Sequence, residues 1–310
     1  SLAASAIVFG TVSISSIELS WTNGDGANRI VVARANASTR VSPSNGSGYT
    51  VNSADFTDVL NGSTGAGNIV IYNGTGSTVT VTGLTPGVVY SFDIYEYNGA
   101  TVTANYGTNF SGTKSTMAAE PTVQASAVNF TSVTSTAFKI NWTVGNGANS
   151  LVLVKDVTAV DSDPVDATTY TANTIFGSGS QIGTGNFVVY KSTAATVTVT
   201  GLTDGHTYYV AVYSFNGSGG AENYLTTAPA TGSQLATTVN YYSQGSLDPA
   251  VLTNWNTIRA GGGSTPAAFT DGSFVIQNTH NMTTTGTRSV GTNGTKLQIE
   301  SGGTLTAGHA

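Results

Sequence analysis

Short runs of alternating apolar and polar residues recur along the chain. Ile17, Leu19 and Trp21 are separated by Glu18 and Ser20, and Tyr90, Phe92 and Ile94 by Ser91 and Asp93. A period of two places every second side chain on one face of a strand, so each run predicts a strand with one buried face. Ile30 and Val32 predict another strand of the same kind. Between the runs lie Gly, Asn, Asp, Ser and Pro, the residues of tight turns. The pattern predicts an all-β chain of many short strands.

The runs also repeat. Ile17-Glu18-Leu19-Ser20-Trp21-Thr22 is echoed by Phe138-Lys139-Ile140-Asn141-Trp142-Thr143, and Gly26-Ala27-Asn28 by Gly147-Ala148-Asn149. Pro43 matches Pro164, and Tyr49-Thr50 matches Tyr170-Thr171, all at an offset of 121 (Trp21 to Trp142). Further on the offset is 118: Val79-Thr80-Val81-Thr82-Gly83-Leu84-Thr85 recurs identically as Val197-Thr198-Val199-Thr200-Gly201-Leu202-Thr203. Tyr90 then pairs with Tyr208, Tyr95 with Tyr213, and Asn105-Tyr106 with Asn223-Tyr224. A duplication that lost three residues in one loop explains both offsets. Each copy has its own Trp strand, Tyr strand and turns, which predicts two separate β-sandwiches. Residues 1–118 and 119–238 form these domains, joined through Ala118-Ala119-Glu120-Pro121, and residues 239–310 form a third module.

Composition narrows the function. At 310 residues the chain exceeds a single core, and with 8% charged residues and a net charge of −6 it offers no basic stripe for phosphates. Nucleic acid and anionic membrane surfaces are therefore excluded as expected partners, whereas neutral sugars and proteins stay open. With no cysteine, neither disulfides nor thiolate chemistry is available. No apolar stretch is long enough to span a bilayer as a helix. No basic-then-apolar leader stands at Ser1, so the chain reads as part of something longer.

The Trp strand followed by Gly83-Leu84-Thr85-Pro86-Gly87-Val88-Val89-Tyr90 resembles the fibronectin type III domain, in which such a stretch forms a tyrosine corner before the sixth strand. The second copy keeps Gly201-Leu202 and Tyr208 but has Asp204 in place of Pro86, an exchange a turn accommodates. Both copies are longer than usual for that family. The excess precedes Val79 and its counterpart and contains Tyr49-Thr50-Val51-Asn52, Gly67-Asn68-Ile69-Val70-Ile71-Tyr72 and their repeats, predicting an added strand or hairpin. The Thr/Gly/Asn-rich variety resembles tandem domains of surface and secreted proteins of Bacteroidota, many exported by the type IX secretion system. The resemblance covers residues 1–238, about three quarters of the chain. It implies an extracellular or cell-surface location and partners among surface or secretion-system proteins or extracellular glycans.

From Val239 the pattern changes. Phe274-Val275-Ile276-Gln277 is followed 22 residues later by Lys296-Leu297-Gln298-Ile299, and Met282-Thr283-Thr284 by Thr304-Leu305-Thr306. That period predicts the first coils of a parallel β-helix, a solenoid that needs roughly three or more coils to bury its faces, with a small open β fragment or a linker as the alternative.

Few residues suggest chemistry. His206, His280 and His309 lie at no spacing that gathers a metal. Gly74-Thr75-Gly76 and Gly177-Ser178-Gly179 are not followed by the Lys-Ser/Thr of a phosphate loop, and no Gly-x-Ser-x-Gly elbow is assembled. One cluster, Asp161-Ser162-Asp163-Pro164-Val165-Asp166, offers Asp161, Asp163 and Asp166 as calcium ligands. It lacks the glycine and distal glutamate of a dedicated loop, and the alternative is that these acids solubilise a turn. Apart from that calcium candidate no cofactor is expected. Tyr72, Tyr97, Tyr190 and Tyr224 either form a sugar-stacking line or are half-buried strand residues. The expected function is non-catalytic and structural or adhesive, with an accessory region of a secreted polysaccharide-active or other hydrolytic enzyme, and export-system cargo, as alternatives.

Overall fold

The computed structural model describes residues 2–269, 272–285 and 296–308; His309 lies outside them. Two compact units divide the chain: Ser1–Pro121 with Val165–Thr169 and Phe215–Tyr224, and Thr122–Pro164 with Tyr170–Ser214 and Leu225–Ala310. No helix among the described residues is long and apolar enough to cross a membrane.

In the first copy β1 (Ser5–Val12), β2 (Ile17–Thr22) and, later in the chain, β6 (Thr78–Val81) form one antiparallel sheet in the order β1-β2-β6. The second sheet holds β3 (Asn28–Ala35), β4 (Ser63–Gly65), β5 (Asn68–Gly74), β7 (Val89–Asn98) and β8 (Asn105–Ser115) in the order β4-β5-β3-β7-β8. Ile17, Leu19 and Trp21 point inward from β2 and meet Tyr90, Phe92 and Ile94 from β7, as period two requires. Val31, Ala33 and Ile71 complete this core.

The second copy repeats the plan. Its smaller sheet is β9 (Ser126–Thr131), β10 (Ala137–Thr143) and β14 (Thr196–Thr200). Its larger sheet is built on β11 (Asn149–Asp156), β12 (Gln181–Ile182), β13 (Asn186–Ser192), β15 (Thr207–Asn216), β16 (Asn223–Tyr224) and β17 (Ala230–Leu235). Phe138, Ile140 and Trp142 face Tyr208, Val210 and Val212 in its core.

Both tyrosine corners close as the sequence predicts. The Tyr90 hydroxyl accepts the Thr85 N–H at 3.0 Å, and the Tyr208 hydroxyl accepts the Thr203 N–H at 2.9 Å. Gly83 and Gly201 hold φ of +68° and +75° in the turn, and a Cβ on Gly83 would stand 1.9 Å from Asp55 Oδ1. Tyr90→Phe and Tyr208→Phe each leave a half-buried N–H without its acceptor. Each is expected to cost its own sandwich about 1–2 kcal/mol in denaturant unfolding.

The extra segment contains the expected hairpin and, before it, a stretch that is not strand. Asn68–Gly74 is a strand and pairs with short β4 as a hairpin, but Tyr49-Thr50-Val51-Asn52 is not a strand. It runs irregularly over the outer face of the larger sheet, where Ile30, Val32, Val70 and Tyr95 form a second core with Tyr49 and Val51 against it. Ile30 and Val32 thus face away from the main core, and β3 is buried on both sides. The segment is pinned by backbone bonds that recur in the other copy: Phe56 N–H to Thr82 O and Gly62 N–H to Thr50 O correspond to Phe176 N–H to Thr200 O and Ser180 N–H to Thr171 O. Phe56 and Phe176 pack edge-on against Tyr90 and Tyr208, with ring centres 5.2 and 5.0 Å apart. These equivalences place the three lost residues between Asn52 and Gly62.

Beyond the second sandwich the described residues form β18 (Asn240–Ser243), β19 (Trp255–Asn256), β20 (Ser273–Ile276), β21 (Asn281–Thr284), β22 (Leu297–Ile299) and β23 (Thr304–Ala307). β18, β20 and β22 pair in parallel, as do β21 and β23, over a core of Tyr241, Trp255, Phe274, Ile276 and Met282. The register differs from the 22-residue reading: Phe274 lies opposite Leu297 and Met282 opposite Leu305, a spacing of 23. A one-residue shift exchanges the faces of a strand, and only this register puts Leu305 against the Met282 core.

Candidate functional site

The first copy carries an open cavity of about 500 Å³ on the outer face of its larger sheet. β5 contributes Asn73, β7 Tyr97 and β8 Tyr106, while the irregular segment contributes Gly46, Gly48, Tyr49 and Thr50. The turn from Thr101 to Thr103 supplies Thr101 and Val102. Tyr106 sits between the other two rings, 5.0 Å from Tyr97 and 5.8 Å from Tyr49.

Hydrogen bonds fix the rings. Tyr97 donates its hydroxyl to Asn73 Oδ1 at 2.7 Å, Tyr106 donates to Ser47 O at 2.9 Å, and the Tyr49 hydroxyl accepts the Ser44 N–H at 3.0 Å. Asn73 Nδ2 donates to Tyr49 O at 2.9 Å, which ties β5 to the segment. Burial, and next the neighbouring phenols of Tyr97 and Tyr49, push the Tyr106 hydroxyl up to about 12. The unfolded chain therefore loses this proton before the folded one does, and stability present below about pH 10 falls as pH rises towards 12. A falling unfolding midpoint over that interval is expected, with a shallower fall in Tyr106→Phe.

The duplicate lacks this cavity lining. Phe215 stands where Tyr97 does and Lys191 where Asn73 does, and Phe215 and Tyr224 are only 2% and 1% exposed. Tyr72 and Tyr190 do not join a common line with Tyr97 and Tyr224. They pack edge-on against Trp21 and Trp142, with ring centres 5.4 and 5.3 Å apart.

The three candidate calcium ligands each have a protein partner. Asp161 pairs with Lys155 Nζ at 2.6 Å and accepts Asn186 Nδ2 at 2.9 Å, which hold its carboxyl below the usual range. Asp163 accepts the Tyr213 hydroxyl at 2.8 Å, and Asp166 accepts the Tyr224 N–H at 2.7 Å. The first copy makes the same bonds with uncharged side chains: Tyr95 donates to Ser42 Oγ at 3.3 Å and Tyr106 N–H to Asn45 Oδ1 at 2.8 Å. Where the second copy has Lys155, Asp161 and Ala211, the first has Arg34, Arg40 and Asp93. The acid has moved from strand to loop: Asp93 lies 3.4 Å from Arg34 Nε and 3.7 Å from Arg40. Among the described residues no group of three or more His, Asp or Glu is gathered as a metal would need.

The two described histidines are also occupied. His206 Nδ1 lies 2.8 Å from Asp156 Oδ2. His280 Nδ1 lies 2.7 Å from Ser243 Oγ; Ser243 is fully buried and already accepts the Gln277 N–H, so it is closed to a substrate.

One pair escaped the sequence reading. Arg29 and Glu96, opposite each other on β3 and β7, form a buried ion pair, with Nε and Nη2 each 3.1 Å from a carboxylate oxygen. The signal was an acid and a base inside apolar strands, at positions that the other copy fills with Ser150 and Ser214.

No family model matches the chain, and no curated protein does. Among solved structures it is similar to a two-fibronectin-type-III-domain segment of chicken tenascin, at 12% identity over 75% of this chain and 98% of that one, TM-score 0.31. It is also similar to the FN1–FN3 domains of chicken CNTN1, at 11% identity over 76% of this chain and 67% of that one, TM-score 0.37. A third likeness is to the central fibronectin III array of RIM-binding protein, at 11% identity over 76% and 69%, TM-score 0.24. The fibronectin-type-III-like description rests on the strand order of the paired sheets and on the two tyrosine corners.

Proposed function

We propose that the chain is a non-catalytic structural and adhesive region of a large secreted or surface-anchored bacterial protein, in which sandwiches at residues 1–118 and 119–238 space or project other modules. The observation that carries this reading is the equivalence of the two copies: both tyrosine corners close alike, and the matching loop residues Asn45 and Asp166 accept the N–H of the matching Tyr106 and Tyr224. Side chains spent on closing a fold in duplicate serve its mechanics. Low charge and the absence of cysteine suit an exported, disulfide-free stalk. The resemblance to Thr/Gly/Asn-rich tandem domains supports a Bacteroidota source and type IX export, with surface or secretion-system proteins as partners.

The parallel pairing of β20 with β22 and β21 with β23 supports residues 239–310 as the start of a β-solenoid. That module also favours a second reading, an accessory region beside a polysaccharide-active catalytic part. Pulling residues 1–238 from their ends in a single-molecule experiment tests the stalk role. Two separate force peaks are expected, each releasing roughly 40 nm of chain at ~3.5 Å per residue. Extension without resistance, or one event releasing both copies, contradicts it.

A further inference from the structure

We propose that the tyrosine-lined cavity of the first copy binds a neutral oligosaccharide. Spacing and projection do not require this activity. Its volume of about 500 Å³ falls within the roughly 300–1,000 Å³ of small-ligand clefts. The lining contains no Asp, Glu, Lys, Arg or His, so nothing in it selects a charged ligand. Aromatic rings offer apolar faces to the C–H faces of a sugar, and a fixed ring costs little entropy when it is covered. Tyr97 and Tyr106 are held in this way by Asn73 and Ser47 before any ligand arrives. Around them stand the exposed side chains of Thr50, Asn73 and Thr101, which supply uncharged hydrogen-bonding groups suited to sugar hydroxyls.

The duplicate strengthens the assignment. Most lining positions differ there, among them Phe215 for Tyr97, Lys191 for Asn73 and Glu222 for Ala104, and the Phe215–Tyr224 ring pair is buried. A purely structural aromatic cluster needs neither the Tyr97 hydroxyl nor its asparagine partner, since the second copy packs without them.

The test titrates the whole chain with hexasaccharides of glucose, xylose, mannose and N-acetylglucosamine, and with a hexamer of galacturonic acid, by calorimetry and by chemical-shift mapping. Saturable binding of at least one neutral oligomer is expected, with perturbations confined to the lining residues. Asn73→Ala and Tyr97→Ala are expected to weaken it at least about tenfold, and Lys191→Ala to leave it unchanged. Tyr97→Phe, which places the second copy's residue in the first, keeps the fold and is expected to weaken binding several-fold, so a Tyr97→Ala chain that does not fold leaves the test intact. No saturable neutral binding at ~10 mM overturns the proposal. So does preferential, salt-sensitive binding of the uronate hexamer, or binding that none of the lining variants weakens.

Discussion

Glu96→Ala is expected to destabilise the first sandwich by about 3–5 kcal/mol, because it leaves the Arg29 guanidinium buried without its counter-charge. Arg29 and Glu96 are 4% and 0% exposed, and Glu96 Oε1 also accepts the Gly24 N–H at 2.9 Å. The second copy shows what an uncharged solution looks like: Ser150 Oγ accepts Trp142 Nε1 at 3.1 Å. In the first copy Trp21 Nε1 is buried without a partner. A serine side chain at position 29 stands where it can take that proton, so Arg29→Ser/Glu96→Ser is expected to recover most of the loss, ending within about 1–2 kcal/mol of the parent. Guanidinium unfolding reads both variants, with the second sandwich as an internal reference. A single-variant cost below about 1 kcal/mol, or a double variant as damaged as the single, refutes the assignment.

Ile30→Ala is expected to cost about 2–5 kcal/mol, as much as a residue of the central core. On a solvated outer face the same change would cost within about 0.5 kcal/mol. Ile30 and Val32 are fully buried there because the segment carrying Tyr49 and Val51 lies over them. Leu153→Ala should behave alike in the second copy, since Leu151 and Leu153 hold the matching buried positions. The readout is the denaturation midpoint at unchanged slope.

These two sites show what was legible beforehand. The strands, both tyrosine corners and the duplication could be read directly, since alternation and turn residues encode them locally. Reading Ile30 and Val32 as a one-sided strand missed the burial of the alternate residues Val31 and Ala33. The unbroken run from Ile30 to Ala33 is what a strand covered on both faces requires. The covering segment resisted prediction because its Gly- and Asn-rich backbone makes only irregular turns with itself and is anchored by bonds to residues far along the chain, Gly46 to Ala104 and Phe56 to Thr82. The tyrosine cavity was only partly visible: Tyr97 was singled out, but its neighbours Tyr49 and Tyr106 meet it only through pairing of β7 with β8 and the path of the segment. The acids at 161, 163 and 166 looked like a site because spacing reveals neither Lys155, Tyr213 nor the Tyr224 amide as partners.

Native-state hydrogen exchange at the segment amides tests the central claim most directly, that each copy is a sandwich closed by its own second layer. Gly62 and Ser180 donate to Thr50 O and Thr171 O within the segment, while Phe56 and Phe176 anchor it to Thr82 O and Thr200 O, and these amides are expected to be protected to nearly the same free energy as those of β3 and β11. Exchange at the rate of an open loop would show the segment to be unattached, and would contradict both the second core and the cavity built upon it.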